Sequence, residues 1–176
     1  MSLIDKKRKF ISINIALLTI SDSRKLDEDT SGNFLAQKIT NHGHYVYDRK
    51  IIKDEFSLIK KNLLTWANNN NIDAIITTGG TGLTGRDSTP EAIYSIADKI
   101  IEGFGELFRK ISYKKIGTST IQSRALGAII NGTYVFALPG SKSACKDAWN
   151  EILKYQLDNR YTPCNFIEIM SRLGKD

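Results

Sequence analysis

The chain has 176 residues, of which 41% are hydrophobic and 25% are charged, and its formal net charge is +6. This length suits one globular domain that buries roughly 70% of its unfolded surface, and no apolar run is long enough to cross a membrane. The positive charge favours anionic partners, but it does not choose among phosphorylated metabolites, nucleic acid and anionic lipid.

The ends and the cysteines of the chain set further limits. Cys145 and Cys164 lie far apart without a nearby Cys or His partner, so neither a zinc cluster nor a structural disulfide is expected. The N-terminus lacks a signal-like apolar core, and we therefore expect a cytoplasmic protein. The basic run at residues 6–9 suggests either a nucleic-acid contact or a solvated lead-in to the first strand. We favour the lead-in, and we predict a flexible basic segment 1–10 before a single domain 11–176.

Apolar runs that are typical of buried strands alternate with amphipathic helical patterns along the chain. Strands are predicted at residues 11–20, 45–52, 72–78 and within 129–138. Helices are predicted after the capping sequence 29–31, at 55–68, from Pro90 onward with Thr89 as a plausible N-cap, at about 101–113 and at about 142–158.

This alternation predicts a three-layer α/β/α domain with a mostly parallel central sheet, similar to a Rossmann fold. Ligands of such folds bind at the carboxyl ends of the strands. That rule directs attention to the loops that follow Ile20, Thr78 and Leu138.

A glycine-rich loop at residues 77–87 follows the third predicted strand and precedes a helix. Glycines allow backbone N–H groups to approach an oxyanion, and the neighbouring helix adds the positive end of its dipole. Gly80, Gly82 and Gly85 fit the G-x-G-x-x-G dinucleotide pattern, but that pattern normally follows the first strand. A P-loop would require Lys and then Ser or Thr where this chain has Arg86 and Asp87.

Two acids near this loop are candidate metal ligands. A carboxylate at Asp87 would repel a bound phosphate unless a cation such as Mg²⁺ neutralised it, because Mg²⁺ prefers carboxylate and phosphate oxygens. The alternative is that Asp87 only caps the following helix. Asp54 follows the second predicted strand, and first-turn helix acids explain it equally well from spacing alone. Both interpretations stay open at this point.

Other polar turns accompany the strand ends. Residues 138–141 (Leu-Pro-Gly-Ser) form a second candidate anion-binding turn, and hydroxyl-rich turns occur at 21–23, 29–32 and 117–120. Several such loops at one sheet edge would suit a long polyanion. The two histidines, His42 and His44, are expected to be surface turn residues, and no nucleophilic triad is indicated.

These motifs together resemble the MoaB/MogA family of molybdopterin adenylyltransferases. The segments that carry the resemblance are 77–82, 87–92, 21–23, 29–32, 138–141 and 163–166, and residues 103–109, 116–119 and 122–125 are similar to the MoaB branch in particular. The match runs from about Ile11 to Phe166, with the motifs in the family's order and spacing.

The resemblance implies a function and a set of site residues. The reaction would be Mg²⁺-dependent transfer of AMP from ATP to molybdopterin, with release of pyrophosphate, in a homotrimer or homohexamer that needs no nucleic acid or membrane partner. Asp54 and Asp87 would hold Mg²⁺ and act in catalysis. The expected nucleotide and phosphate ligands are Thr78, Gly79, Gly80, Thr81, Gly82, Pro139, Gly140 and Ser141. The expected pterin contacts are Ser21, Asp22, Ser31, Gly32, Thr118 and Ser119.

Two other functions remain as alternatives. One is a non-catalytic scaffold or carrier that binds molybdopterin on the same fold. The other is a dinucleotide-dependent oxidoreductase, which rests only on the spacing of Gly80, Gly82 and Gly85.

Overall fold

The computed structural model describes residues 4–174, which form a six-stranded sheet covered by helices on both faces. The strands are β1 (Asn14–Ile20), β2 (Tyr45–Ile52), β3 (Ala74–Thr78), β4 (Lys99–Ile101), β5 (Leu126–Ile130) and β6 (Thr133–Leu138). They lie in the order β2-β1-β3-β6-β5-β4. The predicted three-layer α/β architecture with a mostly parallel sheet is therefore confirmed.

The helices connect the strands and extend beyond them. They are α1 (Thr30–His42), α2 (Phe56–Ala67), α3 (Thr89–Tyr94), α4 (Glu102–Ile116), α5 (Lys142–Ala148), α6 (Lys154–Gln156) and α7 (Phe166–Met170). A 3-10 segment, Gly117–Gln122, follows α4, and a π-helical segment, Trp149–Leu153, joins α5 to α6. The predicted helix at 142–158 is thus one rod with a π segment in its middle.

Two apolar clusters make up the core, one on each face of the sheet. One cluster packs residues of α1, α4 and α5 against inward-facing residues of β1, β3 and β6. The other packs α2 and α3 against the opposite face of the same strands. Because β1, β3 and β6 are covered on both sides, their residues are almost all buried, as is typical of parallel strands.

The prediction of a single strand within 129–138 missed a change of direction. The chain reverses at Asn131 and Gly132, whose φ angles are 47° and 71°, so that β5 pairs antiparallel with β6. Asn-Gly is the dipeptide that a tight hairpin turn favours, because both central residues need positive φ. Strand β4 then pairs antiparallel with β5 in a region where the sequence predicts the start of a helix.

Cap residues account for the limits of α1. The Asp29 side chain accepts a hydrogen bond from the Gly32 N–H at 2.9 Å, which confirms the predicted N-cap. Gly43, with φ of 100°, ends the helix in a left-handed conformation. For α3 the N-cap position is Ser88, one residue before the predicted Thr89.

The prediction that both histidines lie on the surface is wrong. His42 ends α1 and is partly buried, and His44 is only 2% exposed. The ring of Phe10 lies 5.0 Å from the His44 ring and 5.8 Å from the His42 ring, centroid to centroid, and so covers both. The Nδ1 atom of His44 accepts a hydrogen bond from the Ile13 N–H at 3.3 Å. The turn at Gly43 directs the second imidazole inward.

Residues 4–10, expected to be a flexible lead-in, make defined contacts. Ile4 pairs with Tyr161 in an isolated bridge, and Arg8 forms an ion pair with Glu168. The Asn159 side chain donates a hydrogen bond to the Lys9 carbonyl at 2.9 Å. These contacts join the segment to the C-terminal part of the chain, while its flexibility stays a prediction. Within residues 4–174, no helix is long and apolar enough to span a membrane.

Candidate functional site

Three neighbouring strands bring the sequence motifs to one edge of the sheet. Strands β1, β3 and β6 run parallel and adjacent, so the loops after Ile20, Thr78 and Leu138 emerge side by side. The Gly79 N–H donates to the Leu138 carbonyl at 3.0 Å, which extends the pairing of the two strands into the loops. The glycine loop and the Pro-Gly-Ser loop are therefore in direct contact.

Backbone geometry explains the first two glycines of the loop. Gly79 and Gly80 have φ angles of 105° and 65°, which side chains of L-residues rarely adopt. A Cβ at Gly79 would also overlap the Ile20 carbonyl oxygen. A Cβ at Gly80 would lie 2.7 Å from the Asp54 carboxylate. These glycines allow the loop to turn tightly between two neighbouring strand ends.

A cavity of about 440 Å³ opens above these strand ends. Its lining comprises Gly79, Gly80, Thr81, Gly82, Asp87, Phe108, Ser112, Ile116, Gln122, Ser123, Pro139, Gly140, Ser141 and Ala144. Backbone and hydroxyl groups from the two loops form one wall, and α4 with the segment after it forms the other. This size and this mixture of polar and apolar groups suit a small organic ligand with anionic groups.

Asp87 lies in the lining of this cavity, and its carboxylate is held by its own loop. Oδ2 accepts hydrogen bonds from the Thr84 N–H at 2.9 Å and from the Thr84 hydroxyl at 2.6 Å. Partial burial raises the pKa of Asp87, but the Thr84 and Gly82 donors and the nearby charge of Arg124 together lower it below its ordinary value of 3.8. Asp87 is therefore a stable anion at neutral pH.

Asp54 reaches the other side of the glycine loop. Its Oδ1 accepts hydrogen bonds from the Ser88 hydroxyl at 2.9 Å and from the Ser88 N–H at 3.2 Å. Its Oδ2 faces the position where a Cβ of Gly80 would be. The structure thus places both predicted acids against glycines of the same loop, Asp54 at Gly80 and Asp87 at Gly82.

The carboxylates that would take part in a magnesium site are those of Asp54 and Asp87, of which only Asp87 lines the cavity. Among residues 4–174, no group of three or more His, Cys, Asp or Glu side chains is arranged to hold a metal. Mg²⁺ commonly uses one or two carboxylates and fills its remaining positions with phosphate oxygens and water. Asp54 and Asp87 are the residues here that would hold it.

Ser31 and Gly32, in the first turn of α1, support the residues around the cavity without lining it. The Ser31 hydroxyl donates to the Gly140 carbonyl at 2.8 Å, and Arg24 donates to the same oxygen at 3.1 Å. These bonds hold the Pro-Gly-Ser loop in place. Gly32 packs against the buried Asp29 carboxylate, which leaves no room for a Cβ. Both residues lie outside the lining of the cavity.

The Thr78 and Ser141 side chains are also engaged with the protein. The Thr78 hydroxyl donates to the Pro139 carbonyl at 3.1 Å and lies 3.2 Å from the Cys145 sulfur. The Ser141 hydroxyl caps α5 by accepting from the Ala144 N–H at 3.2 Å. Burial of the Cys145 thiol outweighs its hydrogen bond with Thr78 and raises its pKa to about 11. The thiol is therefore protonated at neutral pH.

Several predicted pterin contacts lie outside the cavity lining. Ser21 follows β1, and its hydroxyl accepts from the Arg24 N–H at 3.2 Å. Asp22 forms an ion pair with Arg86 at 2.7 Å, and both side chains are exposed. Thr118 and Ser119 are exposed on the 3-10 segment, which reaches the cavity through Gln122 instead.

The α4 wall of the cavity was missed in the sequence. Phe108, Ser112 and Ile116 recur every four residues along α4, and they continue the stripe that also faces the core. Helical spacing alone indicates a core face for such residues. What distinguishes a cavity wall from a core face is the neighbouring edge of strand ends, and the sequence does not give the order of the strands in the sheet.

The fold and the loops define a class of protein: a three-layer α/β domain with a cavity between a glycine-rich loop and a Pro-Gly-Ser loop at the carboxyl ends of its strands. A family model described as a probable molybdopterin binding domain matches residues 16–159. Molybdenum cofactor biosynthesis protein B of Escherichia coli K12 is 44% identical over 158 residues, which is 90% of this chain and 93% of that protein. The chain belongs to the MoaB/MogA family of molybdenum cofactor biosynthesis proteins.

Solved structures are similar over nearly the same length. A crystal structure of a molybdenum cofactor biosynthesis protein B matches with a TM-score of 0.85 and 36% identity, and the match covers 94% of this chain and 98% of that one. The tungsten cofactor synthesizing protein MoaB from Pyrococcus furiosus matches with a TM-score of 0.76 and 31% identity, again over 94% and 98%.

Proposed function

We propose that this protein is a molybdopterin adenylyltransferase: it transfers AMP from ATP to the terminal phosphate of molybdopterin and releases pyrophosphate. The observation that carries this proposal is the shared cavity of the glycine loop and the Pro-Gly-Ser loop, with an ionised Asp87 in its lining. Two anion-binding loops that meet in one cleft are what a reaction between two phosphorylated reactants requires.

The magnesium requirement follows from charge. ATP and the molybdopterin phosphate are both polyanions, and the Asp54 and Asp87 carboxylates add negative charge beside them. When bound by these two acids, Mg²⁺ would neutralise phosphate charge and so permit the close approach of the reactants. Asp54 and Asp87 are then the catalytic and metal-binding residues.

Backbone N–H groups of the two loops would bind and orient the phosphates of the reactants. N–H groups of residues 80–81 and of residues 140–141 would hold phosphate oxygens along the cavity wall that the two loops form. The apolar α4 side, with Phe108 and Ile116, would accept a ring system and exclude water. Ser31 and Arg24 would keep the second loop at a fixed distance from the first through the Gly140 carbonyl.

No protein nucleophile is needed for this reaction. An oxygen of the molybdopterin phosphate, ionised near neutral pH, attacks the α-phosphorus of ATP, a new P–O bond forms, and the bond to the β-phosphate oxygen breaks. The leaving group is pyrophosphate. Charge that builds on the α-phosphate would be stabilised by loop amides. Arg86 and Lys142, cations that adjoin the two loops in sequence, lie outside the cavity lining, and Arg86 is paired with Asp22.

The test is direct. Purified protein is mixed with ATP, Mg²⁺ and molybdopterin, and both pyrophosphate and the adenylylated pterin are measured. We expect both products in equal amounts and neither when Mg²⁺ is chelated. If pyrophosphate and adenylylated pterin are absent with the wild-type protein, the proposal is wrong.

A binding module without catalysis is the second candidate. The observation in its favour is that the Asp54 and Asp87 carboxylates already have internal donors, Ser88 and Thr84, and so are satisfied without a metal. Isothermal titration separates the two functions. A carrier would bind molybdopterin tightly and show no affinity for Mg²⁺-ATP.

A further inference from the structure

Arg124 connects the two ends of the glycine loop through three of its nitrogens. Nε donates to the Gly82 carbonyl at 2.7 Å, and Nη2 donates to the Asp87 carbonyl at 2.7 Å. Nη1 forms an ion pair with Glu91 on α3. The guanidinium therefore closes residues 82–87 into a ring by bonding to the carbonyls at which that segment begins and ends.

The segment between these carbonyls has little other support. Residues 83–86 are all exposed. Their described contacts with the rest of the protein include the ion pair of Arg86 with Asp22, and both of those side chains are exposed as well. An exposed ion pair of this kind contributes little. The Arg124 side chain is 27% exposed, and its two carbonyl bonds are charge-assisted, so it is the stronger anchor.

We propose that Arg124 is a positioning residue that holds the 82–87 segment, and with it the Asp87 carboxylate, in place for the adenylylation reaction. This inference rests on the proposed function. Arg124 acts through Asp87 and the loop amides rather than on a ligand, because three of its nitrogens are already engaged by the protein. It lies outside the lining of the cavity of about 440 Å³ and borders, together with Asp87, a smaller adjoining cavity.

The geometry requires a guanidinium. The fork of Nε and Nη2 reaches two carbonyls at the same time while Nη1 faces a carboxylate, and a lysine ammonium is a point charge that cannot reproduce this planar arrangement. Arg124→Lys therefore keeps the charge and removes the two-point attachment. Arg124→Met removes both. Glu91→Gln keeps both carbonyl bonds and removes only the charge of the ion-pair partner.

The experiment combines kinetics with amide hydrogen exchange across residues 82–88. For Arg124→Lys we expect kcat to fall about tenfold or more, since small misplacements of a catalytic group have large effects, while KM for ATP changes less than about threefold. Amide exchange in the 82–88 segment should become about tenfold faster. Glu91→Gln should stay within about threefold of wild type in kcat.

Arg109→Lys is the matched control, because Arg109 also donates to a backbone carbonyl, that of Ala125 at 3.1 Å, but does not touch the loop. Its exchange across 82–88 should equal that of wild type. The proposal is overturned if Arg124→Met leaves this exchange unchanged, or if Arg124→Lys retains the wild-type kcat. Inactivity of the wild-type protein would defeat the proposed function, and the exchange rates would still decide whether Arg124 holds the loop.

Discussion

Residues in and around the glycine loop differ in how far their structural role can be predicted from the sequence. Gly79 and Gly80 follow a buried strand, where the sequence predicts glycines that let backbone N–H groups approach an anion, while the tight turn with positive φ angles is seen only in the structure. Asp87 is a candidate metal ligand in the sequence because an acid beside an anion site would need a cation, and this role stays a prediction. Arg124 carries no such signal, because its partners are backbone carbonyls of residues about 40 positions earlier, which no local pattern specifies.

Replacement of Asp87 by asparagine tests the proposed metal ligand. The amide oxygen of Asp87→Asn can still accept a hydrogen bond from Thr84, so the loop should keep its shape. The missing charge should lower kcat about 100-fold, as the loss of an electrostatic contact in a catalytic site typically does. Pyrophosphate release measures this change, and Asp27→Asn, in an exposed loop, is the control. Unchanged turnover would remove Asp87 from the mechanism.

Two glycines of the same loop should respond differently to alanine. Gly79→Ala forces a side chain into a φ of 105° and against the Ile20 carbonyl, so the free energy of unfolding should fall by about 2–4 kcal/mol. Gly85→Ala meets no atom within 4 Å, and the change should stay within about 0.5 kcal/mol. Urea denaturation of the two variants provides the comparison. Equal stabilities would show that the backbone at Gly79 tolerates a side chain.

At the scale of elements, strongly periodic segments were predictable and changes of direction were not. Helix α2 was predicted at 55–68 and spans Phe56–Ala67, because its apolar stripe repeats over three turns. The hairpin of β5 and β6 was predicted as one strand, since both arms are apolar and the turn between them has only two residues. Strand β4 has three residues, too few for a period to be recognised.

The hairpin turn can be tested with a pair of glycine substitutions. Gly132 has φ of 71°, and Gly132→Ala should lower the free energy of unfolding by about 1 kcal/mol because a side chain disfavours that conformation. Gly103 lies in α4, and no atom lies within 4 Å of the place that a Cβ would take, so Gly103→Ala should raise stability by about 0.5–1 kcal/mol. Thermal unfolding of both variants decides the matter. A gain in stability for Gly132→Ala would contradict the expected strain in the turn.

At the scale of the whole molecule, the histidine cluster makes stability depend on pH. Burial lowers the pKa of His44 from 6.5 to about 4, and the charge of His42 acts in the same direction. Burial also lowers the pKa of His42, although Asp158 opposes the shift. The unfolded chain therefore binds more protons than the native one between about pH 6.5 and pH 4. Stability is fully present above this range and is lost as the pH falls through it.

We expect the free energy of unfolding to fall by about 2–3 kcal/mol between pH 7 and pH 4 because of His44. The carboxyls of Asp29 and Asp158, whose pKa values are lowered from 3.8, contribute losses only at still lower pH. His44→Asn leaves an acceptor near the place of Nδ1 and does not titrate, so urea denaturation across this range should show a weaker dependence. A variant as sensitive to pH as the wild type would show that the effect arises elsewhere.

Assembly is the remaining expectation at this scale. Ile121 is 81% exposed, Tyr94 59% and Tyr113 58%, so large exposed apolar side chains occur on α3, α4 and the 3-10 segment. Light scattering should give a mass three or six times the 19.7 kDa of one chain. Ile121→Glu should lower that mass if this surface is buried between subunits. A monomeric wild-type protein would refute the expected trimer or hexamer.

The contacts of residues 4–10 with the C-terminal part of the chain have a practical consequence. Both segments lie where the parallel strands begin. The Ile11 N–H, shortly before β1, donates to the Asn159 side chain. The Tyr134 hydroxyl, at the start of β6, donates to the Phe166 carbonyl. The cleft opens at the opposite edge, beyond Thr78 and Leu138. A fluorophore attached to an exposed side chain of residues 4–10, such as Lys6, would therefore lie at the edge of the sheet opposite the cleft and leave its entrance open.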